Sequence, residues 1–368
     1  MRDHALTSLL QGTLEDHIHR QHISGAVVSA ICQHRGPVVL AAGFEDLDGT
    51  RPMRVESRFP IWSISKTFIA VVVLRLAQRK VLTLEDRLNR WLPEIELARS
   101  ATIRQLLNHT SGLPDYGVLP LYGQAIRDRN DPWNYQQFIE YTCTNDAVAD
   151  PGQGWRYSNI GYMVLRRIVE VATGQPLASV IHSEITGSLH LAETAVVQRS
   201  EEFKSLTPGY SRFLDPSGAA TDVREWYDPG WVAHGFLASP AADVSRFLHS
   251  LFAGELLDAN NLTEMVQLIP VPGQSSANKI GYGLGIAGET DPTFGPHFGH
   301  EGGGPGYAVV VTHVPVLCDR KTTISVFCNS DECHPREISQ ALLHVMFRYF
   351  NEQPTVRTSQ QGRLSAAQ

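Results

Sequence analysis

The sequence Ser63-Ile64-Ser65-Lys66 is the most informative stretch of this chain, because it precedes the apolar run Thr67-Phe68-Ile69-Ala70-Val71-Val72-Val73-Leu74. Pro60 disfavours helix just before it, so a helix is predicted to begin near Ser63 and to continue through Leu76. At positions i and i+3 of that helix, Ser63 and Lys66 share a face. The run is apolar on nearly all sides, which predicts a buried helix with Lys66 at the edge of a core.

An activated serine is the chemistry that this spacing predicts. Burial disfavours a charged ammonium and should lower the pKa of Lys66, while the helix N-terminus favours a developing alkoxide at Ser63. The alternative interpretation of the same sequence pattern is a helix-capping serine followed by a lysine that extends to solvent. Ser276-Ala277-Asn278-Lys279 repeats the pattern after Pro272-Gly273-Gln274, with no apolar helix behind it, and is predicted to be a solvated loop.

A second motif, Tyr157-Ser158-Asn159, follows the loop Asp150-Pro151-Gly152-Gln153-Gly154. A tyrosine beside a buried lysine is expected to have a lowered pKa, which would let Tyr157 act as a general base toward Ser63. Asn159 carries a donor and an acceptor, suited to holding the lysine and a substrate amide. The alternative is a turn asparagine that caps the helix predicted from Ile160.

The third motif is Gly299-His300-Glu301-Gly302-Gly303-Gly304-Pro305-Gly306-Tyr307, which precedes the strand-like 308–312. Glycines on a strand edge allow a substrate backbone to approach, and their N–H groups can bind an oxyanion. A glycine-rich hairpin turn is the structural alternative. Three motifs in this order, each beside the expected kind of element, make coincidence an unsatisfactory explanation.

With these motifs the chain resembles the penicillin-recognising serine hydrolases, in the class C β-lactamase-like branch with its D-alanyl-D-alanine carboxypeptidases, D-aminopeptidases and family VIII-type esterases. In that branch Tyr-x-Asn takes the place of Ser-Asp-Asn, as at Tyr157-Ser158-Asn159. The segments 106–116, 235–240 and 282–285 are similar to other recurrent family segments, and the resemblance covers residues 15 to 350, approximately. It implies a β-lactamase-like α/β (α+β) fold.

The resemblance also implies roles for individual residues: Ser63 as nucleophile, with Lys66 and Tyr157 as the base pair. It places the substrate against Asn159, His300, Gly302 and Gly303, and the oxyanion between the backbone N–H groups of Ser63 and Gly303. No cofactor or metal is implied. His17, His19 and His22 alternate faces of a predicted first helix without a carboxylate partner, which favours a solvated helix over a metal site.

His300 departs from the family pattern, because it stands where the family has a lysine. A histidine with an ordinary pKa of about 6.5 is mostly neutral at pH 7 and offers no permanent cation to a substrate carboxylate. Glu301 should point to the other face of the strand. Within the family, histidine here is similar to the D-aminopeptidase, amidase and esterase members.

The sequence therefore predicts a serine hydrolase that cleaves a small ester or amide, such as a D-amino-acid derivative, a peptide or a carboxyl ester, through an acyl-enzyme on Ser63. A β-lactamase or D-alanyl-D-alanine carboxypeptidase remains a rival. So does an acyltransferase, in which an amine or alcohol intercepts the same intermediate. A non-enzymatic relative that kept the fold would be expected to have lost Ser63, Lys66 or Tyr157. No Gly-x-Ser-x-Gly elbow is present.

Composition fits a soluble enzyme of 368 residues, with 42% hydrophobic and 19% charged residues. The formal charge of −7 argues against nucleic acid or an anionic membrane as partner and favours a small-molecule substrate. Without a signal-peptide or transmembrane run, a cytoplasmic location is expected. Scattered cysteines in odd number predict reduced thiols, with one bridge left open: Cys32, Cys143, Cys318, Cys328 and Cys333.

Strand-like segments lie at both ends of the chain, at 25–32 with 37–43 and at 308–313 with 322–328. Helical patterns lie between and after them, at 67–78, 160–173, 241–253 and 335–350. This order predicts one antiparallel sheet built from both chain ends, flanked by N- and C-terminal helices, with an inserted helical domain. The predicted division is a sheet domain of 1–62 and 235–350, a helical domain of 63–234, and a disordered polar tail of 351–368.

Overall fold

The computed structural model describes residues 4–33, 35–143, 149–215, 217–273 and 280–352. The strands in this part of the chain are β1 (Gly25–Cys32), β2 (Val38–Gly43), β3 (Arg58–Pro60), β4 (Ala195–Val197), β5 (Tyr210–Ser211), β6 (Thr221–Asp222), β7 (Phe236–Pro240), β8 (Ile269–Pro270), β9 (Gly281–Tyr282), β10 (Ala287–Asp291), β11 (Gly295–Gly304), β12 (Tyr307–Leu317) and β13 (Arg320–Cys328).

The α-helices of the same part of the chain are α1 (His4–Gln21), α2 (Ser65–Gln78), α3 (Leu88–Trp91), α4 (Ile103–Leu107), α5 (Pro120–Arg127), α6 (Tyr135–Thr142), α7 (Asn159–Thr173), α8 (Leu177–Ile181), α9 (Ser200–Lys204), α10 (Ala241–Ala253), α11 (Ala259–Met265) and α12 (Pro335–Glu352). Among them, none combines the length and apolar content needed to cross a lipid bilayer.

One large sheet joins the two ends of the chain. Its strand order is β2-β1-β13-β12-β11-β10-β9-β8, and its neighbouring strands are antiparallel. β1 lies between β2 and β13, with Val28 opposite Val326. The expected antiparallel sheet assembled from early and late strands is therefore confirmed.

The two faces of the sheet carry different hydrophobic cores. Along β1, Ala26 and Val28 pack with apolar residues of α1 and α12, whereas Val27 belongs to the larger cluster with α2 and α10. Alternate residues of a strand point to opposite faces, so a short apolar strand can serve both layers. The larger cluster lies on the side that carries the candidate site.

Helix α2 forms the centre of that larger cluster. Its residues from Ser65 to Leu74 are all buried, and Phe68 stacks on Phe247 of α10 with ring centroids 3.7 Å apart. A helix that is apolar on every side can be stable only when it is surrounded, and α2 packs against α7 and α8. The predicted buried helix is confirmed, and Lys66 lies inside the core rather than at its edge.

The ends of several elements differ from the predicted ones. A 3₁₀ turn, Trp62–Ile64, precedes α2, which begins at Ser65. Helix α12 continues to Glu352, so the assignment of residues 351 and 352 to a disordered tail is wrong, and 353–368 lie outside the described residues. The five cysteines are free thiols. The division into a sheet domain and a helical domain stays a prediction.

Candidate active site

Ser63 lies in the 3₁₀ turn between β3 and α2, and this turn is fixed to β7. The Ile61 N–H donates to the Leu237 carbonyl at 2.9 Å, and the Ser65 hydroxyl accepts a hydrogen bond from the Leu237 N–H at 3.0 Å. Ser65 is fully buried, whereas Ser63 borders a cleft. The two serines therefore differ in role: Ser65 ties the start of α2 to β7, and Ser63 is exposed to a ligand.

The Ser63 hydroxyl oxygen accepts two hydrogen bonds from the other candidate catalytic residues. Lys66 Nζ donates at 3.0 Å, and the Tyr157 hydroxyl donates at 2.8 Å. The Lys66 side chain is fully buried, with its Nζ 4.9 Å from the centre of the Tyr157 ring. The first two motifs thus meet at one oxygen atom.

Burial shifts the pKa values of Lys66 and Tyr157 in opposite directions. It lowers the pKa of Lys66 to about 7, against a raising effect of the Asp115 carboxylate. It raises the pKa of Tyr157, although the hydrogen bond with Ser63 lowers it. The expectation of a lowered tyrosine pKa is wrong, because loss of hydration outweighs a lysine that is itself often neutral. The neutral amine of Lys66 is the better proton acceptor.

The segment 106–116 holds the Tyr157 loop in place. The His109 ring lies 4.4 Å from the Tyr157 ring, centroid to centroid, and its Nδ1 accepts a hydrogen bond from the Ser158 N–H at 3.2 Å. Asp115 accepts a hydrogen bond from the Asn159 N–H at 2.9 Å. This segment entered the sequence argument through family resemblance alone, and its physical function here is to position the tyrosine.

Among the described residues, Asn159 is neither the cap of α7 nor a hydrogen-bond partner of Lys66. The cap of α7 is Ser158, whose hydroxyl accepts a hydrogen bond from the Gly161 N–H at 3.0 Å. The Asn159 side chain donates to Asp115 at 3.3 Å, and within the described residues it makes no hydrogen bond to Lys66. It does line the cleft beside Ser63, as expected of a residue that contacts substrate.

The glycines of β11 have different functions at neighbouring positions. A Cβ atom on Gly302 would lie 2.4 Å from the Ile61 carbonyl oxygen, and one on Gly304 would lie 2.7 Å from the Trp62 indole. A Cβ atom on Gly303 would meet nothing within 4 Å. Gly302 and Gly304 therefore allow β11 to pack against the turn that carries Ser63, and Gly303 borders the open cleft.

His300 is a neutral, hydrogen-bonded residue of the cleft wall. Its Nδ1 lies 2.6 Å from the Glu301 carbonyl oxygen, and its Nε2 lies 2.8 Å from the Tyr282 hydroxyl. Because a carbonyl can only accept, Nδ1 carries the proton, and Nε2 accepts from the tyrosine. Burial lowers the pKa of His300 to about 4. The predicted neutrality thus holds in the structure, and with this pKa the imidazole stays neutral at pH 6 as well.

The cleft has two lobes that meet at Ser63 and Gly303. The α12 lobe, about 510 Å³, is lined by Tyr157 and His300 and by the residues that begin α12. The aromatic lobe, about 210 Å³, is lined by Asn159 and His234 and by the rings of Trp62, Tyr116, Tyr122 and Tyr227. A substrate bond placed at Ser63 would have one side in each lobe.

The α12 lobe contains one arginine, and that arginine is already paired. Arg336 forms ion pairs with Glu289 and, at 3.3 Å, with Glu301. Glu301 and Glu337 also line the lobe. With His300 neutral, the described residues around this lobe offer no unpaired lysine or arginine to a substrate carboxylate.

Two residues near the nucleophile were not assigned a function from the sequence. His234 lies just before β7, with its Nε2 3.3 Å from Lys66 Nζ. Asp115 belongs to the segment that is similar to the family, and its bonds to Asn159 were not predicted. His234 is 168 positions from Lys66 in sequence, so no helical phase or strand alternation could have paired them. Ser276, the serine of the second Ser-x-x-Lys match, lies outside the described residues.

A sequence model of the β-lactamase family, described as "Beta-lactamase", matches residues 10–344. The chain belongs to the β-lactamase family. This membership confirms the predicted fold and the predicted enzyme class, a serine hydrolase. The individual site assignments rest on the geometry described above.

Among the relatives, Penicillin-binding protein 4* of Bacillus subtilis is 28% identical over 83% of this chain and 68% of its own length. Esterase EstB of Burkholderia gladioli is 33% identical over 54% of this chain and 53% of its own, so the chain spans about half of that esterase. A solved structure of D-amino acid amidase from Ochrobactrum anthropi SV3, complexed with D-phenylalanine, has a TM-score of 0.82 at 25% identity and covers 94% of this chain and 99% of the amidase.

Proposed function

We propose that this member of the β-lactamase family cleaves a small ester or amide through an acyl-enzyme on Ser63. One observation carries the proposal: the Ser63 oxygen lies 3.0 Å from Lys66 Nζ and 2.8 Å from the Tyr157 hydroxyl, at the junction of two cleft lobes. A nucleophile within hydrogen-bond reach of its base is the geometry that acyl transfer needs.

In the proposed acylation step, neutral Lys66 takes the proton of the Ser63 hydroxyl as the oxygen attacks the substrate carbonyl carbon. The O–H bond breaks, N–H and C–O bonds form, and the carbonyl oxygen gains the electron pair of its former double bond. The backbone N–H groups of Ser63 and Gly303 are the proposed donors to that oxyanion. Collapse breaks the bond to the leaving group, which gains a proton from the Tyr157 hydroxyl, and Lys66 returns its proton to the tyrosine. Water then releases the acyl group by the same steps in reverse order.

This assignment of Tyr157 determines which lobe holds which part of the substrate. The leaving group must reach the residue that protonates it, and Tyr157 lines the α12 lobe. The leaving group therefore occupies the α12 lobe, and the acyl group occupies the aromatic lobe. At about 210 Å³ the aromatic lobe can hold a benzene-sized ring, since a cavity of about 150 Å³ binds benzene.

The charges of the two lobes favour a substrate without a carboxylate near the scissile bond. Arg336 is paired twice, and His300 is neutral. The Asp115 carboxylate lies beside the aromatic lobe, because a Cβ atom on the lobe residue Gly117 would be 3.1 Å from Asp115 Oδ2. An α-ammonium group on the acyl side would be attracted to this carboxylate.

An amide or ester of an aromatic D-amino acid fits these features, and the likeness to an amidase bound to D-phenylalanine supports it. A β-lactam would place its carboxylate in the α12 lobe, where the described residues offer no unpaired lysine or arginine. We therefore infer that β-lactams are poor substrates.

Adding hydroxylamine to the reaction separates hydrolysis from acyl transfer, because a transferase would yield hydroxamate in preference to free acid.

The first experiment is covalent labelling with an active-site serine phosphonate, followed by intact-mass measurement. Ser63→Ala should abolish labelling, and the matched control Ser65→Ala should retain it, because Ser65 hydrogen-bonds β7 and does not border the cleft. Ser276→Ala should also retain it. Labelling that survives Ser63→Ala would end the nucleophile assignment. A panel of D- and L-phenylalanine amide, a neutral ester and a β-lactam then tests the substrate class.

A further inference from the structure

His234 is in direct contact with the proposed general base. Its Nε2 lies 3.3 Å from Lys66 Nζ, and both side chains are buried. His234 precedes β7, so it reaches the lysine from a different element than Ser63, which lies in the turn before α2. Lys66 Nζ is therefore held between a hydroxyl on one side and an imidazole on the other.

The direction of this hydrogen bond follows from the chemistry of the amine. A neutral amine has one lone pair, and that lone pair must face Ser63 if Lys66 is to take the serine proton, so the Ser63 hydroxyl then donates to Nζ along the same 3.0 Å contact instead of accepting from it. The bond to His234 must then use a lysine N–H as donor, so Nε2 accepts and Nδ1 carries the imidazole proton. Nδ1 is buried, with no hydrogen-bond partner among the described residues.

A neutral acceptor at this position has a specific electrostatic effect. When Lys66 becomes an ammonium ion, Nε2 stabilises the charge without introducing a negative charge of its own. A carboxylate in the same place would keep the lysine protonated and inactive as a base. The imidazole remains a neutral acceptor, because burial and the neighbouring Lys66 and Arg166 charges hold the pKa of His234 well below its usual value.

We propose that His234 is a positioning residue that sets the basicity of Lys66 and orients its lone pair toward Ser63. The three atoms form a hydrogen-bonded chain from Ser63 Oγ through Lys66 Nζ to His234 Nε2. This inference rests on the proposed function, in which Lys66 takes the serine proton. His234 does not need to touch the substrate carbonyl, and it changes the reaction through the lysine.

The test compares His234→Leu, which removes the acceptor at similar volume, with His234→Gln, whose side-chain oxygen can still accept. When kcat/KM is measured against pH, its fall at low pH (the acid limb) reports the pKa of the base in the free enzyme. His234→Leu should move this limb to lower pH by about 1 unit, the effect of losing one hydrogen bond to a charged group. It should also lower kcat/KM roughly tenfold, because the lone pair of the amine is no longer held toward Ser63. His234→Gln should restore most of both.

Other ionisable groups near the pair stay the same in all variants, so the shift can be attributed to position 234. They are Asp115, Tyr157, Tyr162, Arg166, His109 and His300. His313→Leu is the matched control, because it removes a buried histidine of the sheet that hydrogen-bonds Thr323. Its acid limb should remain where it is in the unmodified protein.

Three results would overturn the inference. One is an equal loss of rate in His234→Leu and His234→Gln with no movement of the acid limb, the mark of a packing role. Another is a limb that moves to higher pH, which would mean that the imidazole opposes the ammonium. The third comes from ¹⁵N-histidine spectra of the unmodified protein, which need no variant to fold. His234 should carry its proton on Nδ1, and a proton on Nε2 contradicts the proposal.

Failure of this inference is distinguishable from failure of the proposed function. If Ser63→Ala still labels with phosphonate, the hydrolase mechanism is wrong whatever His234 does. If labelling depends on Ser63 and the acid limb does not move in the His234 variants, Lys66 acts without help from the imidazole and the mechanism stands.

Discussion

Gly302→Ala should slow turnover and lower stability, because β11 packs closely against the turn that carries Ser63. The added Cβ would lie 2.4 Å from the Ile61 carbonyl oxygen, about 1 Å closer than ordinary contact at 3.4 Å. That oxygen accepts a hydrogen bond from the Ile64 N–H at 3.0 Å, so moving it disturbs the 3₁₀ turn. A displacement of 1 Å at a nucleophile costs about 10² in rate, and overpacking costs roughly 1–3 kcal/mol.

The matched comparison is Gly303→Ala, one residue along the same strand. A Cβ on Gly303 meets nothing within 4 Å, so this variant should keep the melting temperature of the unmodified protein, whereas Gly302→Ala should lower it by roughly 1–4 °C. Thermal melts and the rate of phosphonate labelling measure the two effects. Unchanged labelling and melting in Gly302→Ala, or equal destabilisation in both variants, would refute the close-packing argument.

Two further predictions concern the proton chemistry. Lys66→Ala and Tyr157→Phe should each reduce turnover by roughly 10²–10⁴, and the double variant should lose little more. Losses that multiply in the double variant would show that the two residues act independently. Lys66→Ala should also abolish the fall in kcat/KM below about pH 7 that protonation of this lysine causes. His300→Lys should raise kcat/KM for a carboxylate-bearing β-lactam relative to a neutral ester, whereas taking the unmodified protein from about pH 7.5 to about pH 6 should leave that ratio unchanged, because the pKa of His300 is about 4. A ratio that follows pH in the unmodified protein would mean that His300 gains its proton much more easily than its burial implies.

Elements with a strong local signal could be predicted from the sequence. Strand β1 is a short apolar segment that begins at a glycine, and its bounds match the predicted 25–32. Helix α2 is apolar on every side, which a buried helix requires. Strands β8 and β9 have two residues each, too few to show any periodicity, so the far edge of the sheet was not predicted.

In the candidate site, too, contacts between residues that are close in the sequence could be predicted, and contacts between distant segments could not. Ser63 and Lys66 are three residues apart, and helical geometry alone places them together. The pKa of Tyr157 depends on burial by several segments, a property that spacing in the sequence does not contain. The His234 contact joins the turn before β7 to α2, and the Tyr282 bond to His300 joins β9 to β11, so both contacts are products of the tertiary fold.

The position of β1 between β2 and β13 has a consequence for synthesis on the ribosome. β13 ends at Cys328, so most of the chain must be made before β1 can gain its second neighbour. Until then β1 and β2 form an isolated hairpin with an unpaired apolar edge, which is a hazard for aggregation. Pairings between distant segments also form slowly. We expect shortened chains that end before β13 to be inactive and prone to aggregate, so that activity marks a chain that has been synthesised at least through β13.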